Sequence, residues 1–235
     1  MIRKLVFFCA LIFSSNLWSF EGFLEPIEVV DITASETGVI IKKSIAEGDV
    51  VRKNDTLVKL DSSVLSASLS GARADYQSKK LKYSQLQALF EQKIASAEEL
   101  AIAKTQKAIS LSQYQSIQQQ IARRHIKSPI NGIVTVMSKE LGELVSLSSG
   151  PFIRVVNVSQ LKLIVYIPYQ DAAKLSLKQI VTVSVSGTEQ AQKGLIRYIS
   201  PVVDPASSTV KVELIIENKL SQIRSGVPAK VSLDG

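Results

Sequence analysis

His125 is the only histidine in 235 residues, and the single cysteine, Cys9, lies inside an apolar N-terminal run. A zinc or soft-metal centre needs three or four convergent nitrogen or sulfur ligands, so this supply argues against one. Met137 is the only methionine beyond Met1, which argues equally against a Cu(I) site. Composition leaves a Ser–His–Asp arrangement open for His125. No glycine-rich phosphate loop ending in Gly-Lys-Ser/Thr occurs. Neither a cofactor nor bond chemistry is expected. The residues with something to offer are instead apolar: Leu89, Phe90 and Ile94 flank the polar break Glu91-Gln92-Lys93, just before Ala95-Ser96. Apolar side chains at the exposed end of a helical turn are an interaction signature.

Positioning them requires two helices. From Ser63 the apolar residues Leu65, Leu69, Ala72, Tyr76, Tyr83, Leu86 and Phe90 recur in steps of four and three, with Lys79 as the one break. That is an a/d seam of almost four heptads. Ser96 followed by Glu99 fits a capping box that starts a second helix. This helix carries Leu100, Ala103, Leu111, Tyr114 and Ile121 on a weaker seam, with Lys104, Lys107 and Gln118 near its line. It ends before Ser128-Pro129, where proline disfavours helix. At 1.5 Å per residue, arms of ~27 residues project roughly 40 Å as an antiparallel coiled-coil hairpin over 63–124. Helices this polar gain most of their stability from packing, so support from neighbouring copies or a partner's helices is expected.

The hairpin interrupts a duplicated β pattern. Residues 35–63 and 129–157 align with an offset of 94, setting Gly38 on Gly132, Gly48 on Gly142, Val39 on Ile133, Val50 on Leu144 and Val51 on Val145. Repeats take precedence in reading a fold. Neither half can bury a core alone, so the two must pack together as one split sandwich. Strands are expected at Pro26–Asp31, Gly38–Lys43, Asp49–Val51 and Thr56–Leu60, and the four glycines suit tight turns or close backbone approach. After residue 158, strands at Leu161–Ile167, Ile180–Val185, Gly194–Ile199, Val210–Ile216 and Ala229–Leu233 predict a small antiparallel β-barrel. Turn clusters at Pro201–Ser208 and Glu217–Gly226 separate them, Gly226 relieving a tight turn, and a short helix is expected over Asp171–Leu177. The fold class is mainly β with a long α-helical hairpin.

Arg3 and Lys4 followed by the apolar run Leu5–Leu17 read as a secretory leader ending near Ser19. The run is short for a membrane span, so an uncleaved anchor is the lesser alternative. The formal net charge of +7 falls by two once Arg3 and Lys4 are set aside. Without a dense basic run interleaved with aromatics, no nucleic-acid partner is expected.

The pattern resembles the periplasmic adaptor family, also called membrane fusion proteins, and within it the resistance-nodulation-division efflux adaptors. The resemblance rests on Glu47-Gly48-Asp49-Val50-Val51, Asp55, Leu57 and Leu60-Asp61 before the helices, and on His125-Ile126-Lys127-Ser128-Pro129-Ile130-Asn131-Gly132-Ile133-Val134 after them. Ile199-Ser200-Pro201-Val202-Val203-Asp204-Pro205 and Ser225-Gly226-Val227-Pro228-Ala229 extend it through the barrel. It implies a lipoyl-like domain in two halves, 20–62 and 125–157, around the hairpin, then a barrel over 158–235. It further implies self-association, as a hexamer, between an inner-membrane transporter, proton-driven rather than ATP-driven, and an outer-membrane channel, in the periplasm. Many such adaptors add a membrane-proximal domain after the barrel, for which this sequence holds no residues. An adaptor of an ATP-driven exporter and a pump-independent helical scaffold remain alternatives.

The resemblance also assigns the hairpin tip. Family members carry an Arg, a Leu four residues on and a Ser seven beyond it; counting back from Ser96 gives Leu89 and Gln85. Gln85 departs from the pattern. Channel contact is therefore expected at Gln85, Leu89, Phe90, Ile94 and Ser96. A lipoyl-like domain also raises a carrier function, which needs a lysine on the turn joining the halves. Here the helices replace that turn, Ser62-Ser63 occupy its start and Lys59 lies in the preceding strand, so the carrier reading fails on geometry. His125 falls at a structural junction.

Overall fold

The computed structural model describes residues 18–188, 190–219 and 221–233. The leader expected over 1–19 lies outside them up to residue 17. Ser19 is already in the first strand, opposite Ser232. The chain forms two compact units, one spanning Glu28–Asn157 and the other joining the residues before Glu28 to those from Val158 onward. In chain order the elements are β1 (Trp18–Ile32), β2 (Gly38–Lys43), β3 (Val50–Val51), β4 (Thr56–Leu60), α1 (Ser63–Glu91) and α2 (Ala97–Arg123). They continue with β5 (His125–Lys127), β6 (Gly132–Met137), β7 (Leu144–Val145), β8 (Ile153–Pro168), α3 (Tyr169–Ala172) and β9 (Ile180–Val185). The last are β10 (Gln192–Asp204), β11 (Thr209–Glu217) and β12 (Pro228–Leu233).

Within Glu28–Asn157 the two β halves exchange strands. β2 pairs with β7 as Gly38↔Val145 and Val39↔Leu144; β6 pairs with β3 as Gly132↔Val51 and Ile133↔Val50. Adding 94 to one set of partners returns the other. The hydrogen bonds follow suit: the Ile40 N–H donates to the Glu143 carbonyl and the Val134 N–H to the Asp49 carbonyl, both at 2.9 Å. The halves therefore interlock by an approximate internal two-fold. Their inward residues, among them Ile40, Val51, Leu57, Leu60, Val134, Val145 and Phe152, form one core. Gly48 and Gly142 hold the equivalent turns at φ 93° and 88°, a region closed to most L residues.

Two helices of 29 and 27 residues join these halves. Tyr76 stacks on Tyr114 with ring centroids 6.1 Å apart, and the Lys107 ammonium lies 4.0 Å over the Tyr83 ring. Rising numbers on α1 thus meet falling numbers on α2, and the pair is antiparallel. On α1 the line 65, 69, 72, 76, 79, 83, 86 is half-buried, while Phe90 beyond it is exposed. On α2 the deepest positions are Ala103, Ser110 and Ile117, one heptad apart. Ser110 and Ile117 were not on the seam read from sequence: a serine at a buried heptad position carries no apolar signal, and Ile117 lies off the line drawn through Leu111, Tyr114 and Ile121.

At the base, the Asp61 carboxylate accepts from the Ser63 N–H at 2.9 Å, opening α1. Arg124, closing α2, donates to the Asp61 carbonyl, and its own carbonyl accepts from the Leu60 N–H. Arg123 pairs with Glu36 at 2.7 Å.

In the other unit the strands run β1-β12-β9-β10-β11-β8, and β1 pairs β8 again, returning the sheet to its start. Every second residue faces inward: Leu161, Leu163, Val165 and Ile167 on β8, Val210, Val212, Leu214 and Ile216 on β11. Three expectations need correction. The strand set at Pro26–Asp31 is only the end of β1, whose earlier residues owe their strand state to β12 rather than to their own pattern. The turn cluster set at Pro201–Ser208 shrinks to 205–208, because β10 runs on through Pro201. It can do so because the β10–β11 register breaks between Ile199 and Val203, where a missing N–H costs no ladder bond. The helix set at Asp171–Leu177 is Tyr169–Ala172, starting directly after Pro168.

Candidate functional site at the end of the helical pair

The turn from α1 to α2 is built by two capping motifs back to back. At the end of α1 the Ile94 N–H donates to the Leu89 carbonyl at 2.8 Å and the Lys93 N–H to the Phe90 carbonyl at 2.9 Å. Those two bonds, with Lys93 at φ 61°, make a Schellman motif. At the start of α2 the Ser96 hydroxyl accepts from the Glu99 N–H, and the Glu99 carboxylate accepts from the Ser96 N–H and hydroxyl. Glu98 and Glu99 add negative charge where the helix dipole favours it.

This geometry sorts the residues singled out from sequence. Leu89 occupies the C3 position and Ile94 the C″ position, the pair that a Schellman motif brings together. Yet Leu89 is 38 %, Phe90 41 % and Ile94 68 % exposed. The helices thus end in an apolar surface larger than the motif itself consumes. Gln85 lies exposed one turn before Leu89, on the same side of α1. Ser96 is committed to its cap, with its hydroxyl spent on Glu99. Lys93 was not singled out; a C3–C″ apolar pair on either side of a polar break is the signal that could have found it.

Lys93 holds a left-handed conformation without being glycine, which costs roughly 1 kcal/mol. Lys93→Gly is expected to raise helical-pair stability by about 0.5 kcal/mol, read as an upward shift in the thermal midpoint.

Elsewhere the candidates separate. Lys59 is half-buried in β4 and pairs across strands with His125, and the chain then enters α1 directly. His125 is half-buried at the head of β5; burial pushes its pKa down, helped by the charges on Lys59 and Lys127. Among the described residues no group of three His, Cys, Asp or Glu side chains converges. Among them, too, no helix is long and apolar enough to cross a membrane.

Among the described residues, four carboxylates are held below their ordinary pKa: Asp31 by the Arg154 guanidinium, Asp61 by the Ser63 N–H, Glu99 by the Ser96 N–H and Asp204 by the Ser207 N–H. A lowered folded-state pKa means that the stability is complete above the ordinary carboxylate value and is lost as pH falls through the lowered one. The melting midpoint should therefore hold steady from neutral to about pH 5 and drop below roughly pH 4. Glu99→Gln should flatten the part of that drop reported by helicity.

The family profile described as "RND MFP, barrel-sandwich hybrid domain" matches residues 28–157, more than half of the chain, and one described as "CusB-like, beta-barrel domain" matches 162–235. Nodulation protein NolF of Rhizobium meliloti is 22 % identical over 88 % of the chain and 60 % of its own length. The efflux pump periplasmic linker BepF of Brucella suis is 27 % identical over 92 % of the chain and 56 % of its own. The chain thus spans less than two thirds of these relatives. Among solved structures, a MacA–MexA chimera containing the Pseudomonas aeruginosa MexA α-hairpin domain superposes with a TM-score of 0.79. It is 22 % identical, over 92 % of this chain and 79 % of that one.

Proposed function

The chain belongs to the RND membrane fusion protein family, and on that premise we propose that it is the periplasmic adaptor of a tripartite efflux pump. In this reading several copies, six if the family's habit holds, stand side by side between an inner-membrane transporter and an outer-membrane channel. The transporter is proton-driven rather than ATP-driven. The helical pair acts as a coiled-coil hairpin, and its end meets the channel's helices. The work is mechanical and spatial, with no enzymatic step. A leader peptide delivers the chain to the periplasm.

The observation that carries the reading is the apolar end of the helical pair. Leu89, Phe90 and Ile94 face solvent on a turn that two capping motifs hold rigid. A monomer gains nothing from this exposure, whereas a partner helix end would bury it. Gln85 replaces the arginine of the family pattern, so the contact leans on packing more than on charge.

Leu89→Cys, cross-linked in intact envelopes, tests the assignment. The expected product is a covalent adduct with an outer-membrane channel protein, lost when Ile94→Asp is added. Full labelling of the introduced thiol by a soluble maleimide with no adduct would sink it.

A further inference from the structure

The outward face of the β5-β4-β2-β7 sheet carries an uncompensated cationic row. Lys42 of β2 pairs with Lys59 of β4, and Lys59 pairs with His125 of β5. Lys127, two residues beyond His125, projects from the same face of its strand. Like charges directly opposed across strands destabilise a sheet. Among the described residues none of these three lysines has a carboxylate partner. The offset of 94 sets Lys42, Lys59 and Lys127 against Val136, Ile153 and Thr33, so the other half carries no such row.

Beside this row lies an apolar groove. Leu69, Gln118, Ile121 and Ala122 from the base of the helical pair, with His125 and Lys127, line an open groove of about 330 Å³. That is at the small end of the ~300–1,000 Å³ typical of ligand pockets. His125 and Lys127 belong to both features, so an apolar wall passes directly into a cationic one. Burial, and then the charges on Lys59 and Lys127, push the His125 pKa down, so both ammonium groups act on a side chain that lines the groove.

We propose that groove and lysine row form one binding site for a small anionic amphiphile, a single alkyl chain ending in a carboxylate or phosphate. The tail lies against Leu69, Ile121 and Ala122, and the headgroup sits between Lys59 and Lys127. Charge neutralisation by the headgroup relieves the opposed lysines, and tail burial adds to it. The site is independent of the tip contact, and failure of either leaves the other standing.

The test is calorimetric titration of the whole chain with decyl phosphate below its critical micelle concentration. The single imidazole resonance of His125 is followed by NMR in parallel. The expected result is a saturable, one-to-one heat with a matching shift of that resonance. Decanol and inorganic phosphate, each offering half of the ligand, should bind at least tenfold more weakly. Lys59→Gln with Lys127→Gln should weaken decyl phosphate at least tenfold while raising the melting midpoint, since the opposed charges are gone; the rise also certifies folding. Leu69→Ser should weaken it through the tail. Equal binding of decanol, equal binding of phosphate, lysine variants within twofold of the parent, or no saturable shift would each overturn the proposal. So would binding to phosphatidylglycerol vesicles without binding of the monomer, which would make the row a membrane contact.

Discussion

Gly132→Ala should be the most damaging single methyl group that can be added to the duplicated unit. The position begins β6, where a Cβ would be driven into the backbone carbonyl of Val156 and would lie 3.0 Å from the Val155 side chain. Backbone on the paired strand β8 cannot turn aside as a side chain would, so the β6–β8 ladder must open. The expected loss is about 3 kcal/mol, the upper end for overpacking. Its counterpart Gly38 supplies the control. There a Cβ meets only side-chain atoms, Leu60 Cβ at 3.2 Å and the Arg124 guanidinium at 3.4 Å. Both substitutions restrict the unfolded chain alike, by ~0.4–1 kcal/mol, which offsets much of the milder crowding at Gly38 and little of that at Gly132. Urea unfolding of the two variants should therefore differ by about 2 kcal/mol, although the positions are equivalent by the internal two-fold. Equal losses would mean that the strand exchange is looser than its hydrogen bonds indicate.

The contrast also marks what sequence can and cannot convey. The offset of 94 and the heptad steps of α1 were both legible, because spacing alone decides which face a side chain occupies. The seam of α2 was legible only in part: Ala103 appears, but Ser110 gives no apolar signal and Ile117 falls off the line drawn through Leu111, Tyr114 and Ile121, though all three are buried. Prolines misled at β10, since Pro201 punctuates a turn in most contexts but sits here in a register break. The early part of β1 was hidden because its strand state is imposed by β12, a partner about two hundred residues distant in sequence. At the tip, Leu89, Ile94 and the capping box could be read from local pattern. The lysine row could not. Lys42, Lys59 and Lys127 are ordinary taken singly, and only strand register sets them beside His125.

Asn218→Ala should produce the second large effect, confined to the unit that carries β8 to β12. Asn218 is 4 % exposed in the loop after β11 and uses every arm of its amide. Its side-chain nitrogen donates to the Val158 and Ile223 carbonyls at 2.9 and 2.8 Å, and its oxygen accepts from the Ile223 N–H at 3.0 Å. Its own N–H donates to the Ser159 carbonyl at 2.9 Å. One side chain thus fastens the returning loop to β8 and seats Ile223 in the core. Truncation leaves a buried N–H and two carbonyls without partners, each worth ~1–3 kcal/mol if no water replaces the amide. Partial rescue by water brings the expected loss to about 3 kcal/mol. Asn218→Asp separates hydrogen bonding from size. It keeps an acceptor for the Ile223 N–H but sets a carboxylate against two carbonyl oxygens, so it must either bury a charge or take up a proton. Its folded-state pKa would then lie above the unfolded value, and its deficit should shrink as pH falls through that raised pKa. Asn218→Ala should show no such recovery. A pH series of denaturant melts on the two variants distinguishes an amide clamp from a site that is merely small; parallel curves would refute the clamp.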